Sequence, residues 1–153
     1  MGAYVRFGLM ILSSTLVMYG LMYLNTYETA HIQFSQTRAW MALVMGAAMA
    51  IVMLAFMQGM YKNKQANVGI FVGAVFVFAA ALWLVRSQAT VDDVSYMRAM
   101  IPHHSVAIMT SERAGIADPR VRKLADAIIA AQRKEIAEME ALIADLERNG
   151  TQR

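Results

Sequence analysis

The chain has 153 residues, of which 58% are hydrophobic and 16% charged, against roughly 25% charged in ordinary soluble domains. That much apolar side chain excludes disorder, and two prolines and nine glycines leave too few turn signals for a β-rich fold. The absence of cysteine excludes disulfide frameworks, thiolate zinc sites and iron–sulfur clusters, and a net charge of +3 is too modest to argue for nucleic acid.

Three apolar runs come first in chain order, over residues 7–24, 40–61 and 68–85. A bilayer core needs about 20 apolar residues per helix, and lipid cannot satisfy loose backbone groups, so each run is expected to be a transmembrane helix. Tyr4, Tyr23, Trp40, Tyr61 and Trp83 stand at the ends of the runs, as interfacial aromatics do. The first run lacks the basic leader and small-residue cleavage site of a signal peptide. Arg6 precedes the first run, and Lys62 and Lys64 lie in the short second connection. Placing these cations inside gives a cytoplasmic N-terminus and an extracytoplasmic C-terminus; Arg86 opposes this weakly.

After Arg86 the composition changes, and nearly all the acidic residues lie beyond it. Thr90 is the expected N-cap of a helix over 91–114, with Asp93 three residues later and Pro102 as the expected kink site inside it. Asp118-Pro119 restarts the chain as N-cap and first helical position, and a helix over 119–148 follows, stopped by Asn149-Gly150. The chain thus divides into a three-span region, 1–89, and a helical hairpin, 90–150.

The apolar stripe of the last helix is broken by Gln132 and Glu135, which fall within about 40° of the line through Val121 and Met139 at 100° per residue. A carboxylate on an apolar seam is costly unless paired or coordinating a cation. A short turn makes the helices antiparallel and sets Met100 opposite Arg133 and Met97 opposite Ile136. Met97, Met100, His104, Gln132 and Glu135 then converge within about a turn. Imidazole with thioether suits copper. Hydrogen-bonded packing of His103 and His104 in a small helical core is the plainer alternative.

The segment Met100-Ile-Pro-His-His-Ser-Val-Ala-Ile-Met109, answered by Gln132-x-x-Glu135-Ile136-x-x-Met139, resembles the ferritin-like "domain of unknown function" family numbered 305, over residues 92–148. The resemblance implies an extracytoplasmic helical domain, associated in some members with copper binding and copper resistance. Carried over residue by residue, it implicates Met97, Met100, His103, His104, Met109, Glu135 and Met139 as metal residues, with Gln132 beside them. Many members carry two hairpins. One hairpin here leaves the bundle to be completed by a second copy, by the membrane surface or by the first loop.

A second methionine pattern runs along the middle span: Met41, Met45, Met49, Met53, Met57 and then Met60. Beside it lie Ala42, Gly46 and Ala50, small residues that allow close helix approach, and Gly69-x-x-x-Gly73 repeats the device in the third span. Stacked thioethers are a conceivable Cu(I) path, similar in architecture to three-span eukaryotic copper transporters. Methionine as a flexible packing residue is the competing reading. Glu28 and His31 in the first loop are read as solvated.

No metalloprotease, di-iron, nucleophile-elbow or phosphate-loop pattern is present, so the expectation is a non-enzyme. The reading as a whole is an all-α integral protein of the bacterial inner membrane that sequesters or delivers copper and self-associates, with lipid and a copper exporter or periplasmic copper carrier as partners and no nucleic acid. A Cu(I) transporter and a metal-free structural oligomer are the alternatives.

Overall fold

The computed structural model describes residues 2–150, and these form an all-helical structure. The three apolar runs become α1 (Ala3–Leu21), α2 (Gln36–Phe56) and α3 (Lys64–Ser87), all long and apolar enough to cross a membrane. The hairpin is α4 (Asp93–Arg113) and α5 (Pro119–Gly150). Each span begins about one turn earlier than hydropathy alone suggests, because polar or small residues such as Gln36 and Lys64 serve as first-turn helix formers.

The chain divides into two compact units. The first holds the residues up to Met22 and Thr37–Thr90. Its core is Phe7, Ala50, Leu54 and Tyr61, with Met53, Met57 and Ile70 packed against them. The Tyr4 hydroxyl accepts from the Asn63 amide at 3.1 Å and donates to Asn67 Oδ1 at 2.9 Å, tying the start of α1 to the α2–α3 turn. Asn63 caps α3 by accepting from the Ala66 amide. The glycine at position 46 is needed: a Cβ there would lie 2.3 Å from Thr15 Oγ1, so α1 and α2 approach closely at that point. Gly69 and Gly73 meet nothing within 4 Å, and their pattern serves no packing within this unit.

The second unit holds Tyr23–Gln36 and the residues from Val91 onward. Its core is Met97, Ile101, Ile108, Ile136 and Ile143. Burial of these side chains, each excluding on the order of 1.5–3 kcal/mol worth of apolar surface from water, drives the hairpin together. The helix α4 is capped by Asp92, whose side chain accepts from the Ser95 amide at 2.7 Å. Thr90 does not cap it; its hydroxyl instead accepts from Trp40 Nε1 within the first unit. Asp92, two residues closer to the free amides of α4, is placed to bond them and Thr90 is not. The helix continues unbroken through Pro102. Asp118 caps α5 through the Arg120 amide at 2.8 Å, and α5 runs through Asn149 to Gly150 rather than stopping before them.

Candidate functional site

The residues Met97, Met100 and His104 lie three and four apart on α4, and so share one face. They line a cavity of about 670 Å³ together with Glu135, Met139 and Leu142 of α5. The hairpin register differs from the one expected. His104 faces Glu135, while Arg133 pairs with Glu112 and Arg98 with Glu147. Pairs across the hairpin lie several residues further along α5 than the expected register, an offset that the connection, one residue longer than expected, does not produce. Met100 therefore shares the cavity with Met139 and not with Arg133, and Gln132 does not line it.

The His104 side chain is buried and Glu135 is half exposed. The ring is held at both nitrogens: Nδ1 lies 2.9 Å from the Met100 carbonyl and Nε2 lies 2.8 Å from Glu135 Oε2. Both partners are acceptors, so a doubly protonated ring donates to both. A ring protonated only at Nδ1 keeps the bond to Met100 and sets its Nε2 lone pair against Glu135 Oε2, on the cavity wall. Metal-ligating histidines are oriented in this way, with the second ring nitrogen donating to a backbone carbonyl.

His103 is exposed, with its ring centroid 6.1 Å from that of His104. Neither His103 nor Met109 lines the cavity, as expected from the angular offset of neighbouring helix positions. Among the described residues, no group of three or more His, Asp or Glu side chains is placed to hold a metal. A metal in this cavity would depend on the thioethers of Met97, Met100 and Met139 beside the single imidazole and carboxylate. That set fits a soft cation such as Cu(I) and does not fit calcium or magnesium.

The middle-span methionines are arranged differently. Met45, Met49, Met53 and Met57 are half-buried, Met41 and Met60 exposed, and α2 ends at Phe56, before the last two. The buried ridge of α2 is Ala42, Gly46, Ala47, Ala50 and Leu54. The methionines flank this ridge.

One cluster was not expected. Ser105, next to His104 but on another face, is fully buried. Its Oγ accepts from the Tyr27 and Glu28 amides at 3.1 and 3.4 Å and lies 2.9 Å from His31 Nδ1. With both lone pairs occupied, the hydroxyl proton goes to His31. The first loop therefore packs on the hairpin and is not simply solvated: His31 is buried, Tyr27 packs against the core, and Arg113 lies over the Tyr27 ring. The Tyr27 hydroxyl bonds the Glu112 carboxylate, which raises its pKa above the ordinary phenol value. Serine, histidine and Glu28 resemble a hydrolytic triad in composition, but a fully buried Ser105 cannot meet a substrate. The group works as a latch.

The chain is therefore one with three helices able to span a membrane, followed by a helical hairpin that sets a histidine–glutamate pair in a methionine-lined cavity. Residues 93–153 match the family described as "Domain of unknown function (DUF305)", so the hairpin segment is a DUF305 domain. An uncharacterized protein of Acanthamoeba polyphaga mimivirus is 38% identical over 71 residues, covering 45% of this chain and 47% of that protein. The chain thus spans about half the length of this curated relative. No solved structure matches.

Proposed function

We propose that this protein is a membrane-anchored carrier of a soft metal ion, copper by preference, held as cargo in the hairpin cavity for sequestration or delivery. The observation that carries the reading is the His104 ring, pinned through Nδ1 to the Met100 carbonyl and set through Nε2 against Glu135, in a cavity lined also by Met97, Met100 and Met139. In this reading His104 and the thioethers hold the ion, while Glu135 takes up the proton or charge that the ring gives up when the ion enters. In the same reading His103, exposed next to His104, is the first contact for incoming metal. The hairpin faces away from the cytoplasm, a reading supported by Arg6, Lys62 and Lys64 on the other side of the spans.

Transport of Cu(I) along the middle span is the weaker reading, because the methionines there flank the buried ridge. The test is metal analysis of the full chain purified in detergent from copper-supplemented cells, alongside His104→Ala. Near-stoichiometric copper in the wild type and its loss in the variant are expected. Copper-free wild-type protein that also fails to take up Cu(I) in vitro would refute the proposal.

A further inference from the structure

One apolar stripe of α5 is left about half uncovered. Val121, Leu124, Ile128, Leu142 and Leu146 are between 38% and 61% exposed, although they recur at spacings that place them along one stripe. This stripe lies about 90° around the helix from the residues packed on α4, Ala125, Ile136 and Ile143. Charge divides α5 at the middle of the same stripe. From Pro119 to Lys134 there are five basic residues and one acidic; from Glu135 to Gly150 there are five acidic and one basic.

We propose that a second copy of this chain docks antiparallel along α5, with the two-fold axis at Glu135. The midpoint of Leu124 and Leu146 is position 135, and so is the midpoint of Ile128 and Leu142. The charge changes sign at that point. An antiparallel pair therefore matches leucine to leucine and the basic half of one copy to the acidic half of the other. On the rim of the stripe, Lys123 of one copy falls beside Asp145 of the other, and Lys134 beside Glu138. The cavity between α4 and α5 is lined by Asp93, Glu138 and Asp145 and by Tyr96, Leu142 and Leu146, and Leu124 and Ile128 of the second copy close over its open side. The five uncovered side chains fall somewhat short of the roughly 1,000 Å² that a specific interface needs, and the charged residues flanking the stripe supply the rest. An anionic lipid surface fits only the basic half of the stripe and repels the acidic half. A parallel pair would set like charges together.

The consequence for the site is direct. The two-fold axis passes beside Glu135, so two His104–Glu135 pairs face each other and each copy completes the open side of the other's cavity. The dimer rests on the uncovered stripe and its charges alone and does not depend on metal binding.

The chain has no cysteine, which makes disulfide mapping clean. The full chain is embedded in lipid nanodiscs or native membranes and oxidised mildly. Leu124→Cys and Leu146→Cys, each alone, place their thiols about 33 Å apart across the pair at 1.5 Å per residue and are expected not to self-link. Co-expressed, the two single variants are expected to link to each other, and Lys134→Cys near the axis is expected to link to itself. Lys123→Asp is expected to lower the 124–146 cross-link at least fivefold, and Lys123→Asp with Asp145→Lys to restore it. Self-linking at position 124 as strong as the mixed link would overturn the antiparallel arrangement. So would a mixed link no stronger than at exposed α3 positions, or burial of a position-124 probe in lipid with no cross-link. Because no arm contains metal, failure of the copper proposal leaves these results unaffected.

Discussion

Replacing Ser105 with alanine removes the atom on which three groups of the first loop converge. In the wild type Ser105 Oγ accepts from the Tyr27 amide at 3.1 Å, accepts weakly from Glu28 at 3.4 Å, and lies 2.9 Å from His31 Nδ1. The serine is fully buried and the His31 side chain nearly so. Alanine fits the space, so no steric term arises. It leaves the Tyr27 N–H and His31 Nδ1 without a partner in a site closed to water. A buried group left unpaired costs about 1–3 kcal/mol, and the half-exposed loop relaxes to recover part of that. A local loss of about 2 kcal/mol follows, equivalent to roughly thirtyfold in an opening equilibrium at 1.4 kcal/mol per decade. Hydrogen exchange by mass spectrometry on the full chain in micelles reads this directly. Peptides covering Tyr27–His31 are expected to exchange about thirtyfold faster, with α5 peptides around Ile136 changed little. Unchanged protection of the loop in Ser105→Ala would refute the latch.

Other consequences follow from the same geometry. Gly46→Ala forces a Cβ against Thr15 Oγ1, itself held by its bond to the Ile11 carbonyl; the expected loss is about 1–3 kcal/mol, seen as a lower melting temperature in detergent and relieved by adding Thr15→Ala. Ile101→Ala empties a fully buried position of the hairpin core and is expected to cost about 2–5 kcal/mol, measured by denaturant melting of the helical signal. Acid is expected to fray the starts of α4 and α5. The Asp92 carboxyl is held below its ordinary value of 3.8 by bonds from Ser95, and the Asp118 carboxyl below the same value by bonds from Arg120. Their caps therefore contribute fully above pH 3.8 and are lost as pH falls through the lower folded values. An Asp92→Asn, Asp118→Asn double variant, which caps without a charge, is expected to show a flatter loss of helicity between about pH 4 and 2.

The parts legible in the sequence were those set by period and composition. Runs of 18 or more apolar residues can only become helices in lipid. The apolar spacings of α4 and α5, with Asp118-Pro119 between them, define a hairpin. The break in the α5 stripe at Glu135 pointed toward the His104 face because both lie on seams that had to meet. What the sequence could not give was register. Pairing several residues further along α5 set Met139 in the cavity and left Gln132 outside it, and no local pattern specifies how α4 ends at Arg113. The N-cap fell to Asp92 and not Thr90 because two competent residues stood within one turn. The Ser105–His31 latch joins residues 74 positions apart. The only hint was one small hydroxyl among several in α4, which by itself reads as filler.

The central claim is that the hairpin cavity holds copper through His104, and the most direct measurement is Cu(I) titration of the full chain in detergent under reducing conditions, with a competing chromophoric chelator, for wild type, His104→Ala and Met100→Leu. Saturable uptake by the wild type is expected, with affinity reduced at least tenfold by His104→Ala and less by Met100→Leu. Affinity in His104→Ala equal to that of the wild type would contradict the account and leave His104 as a packing residue paired with Glu135.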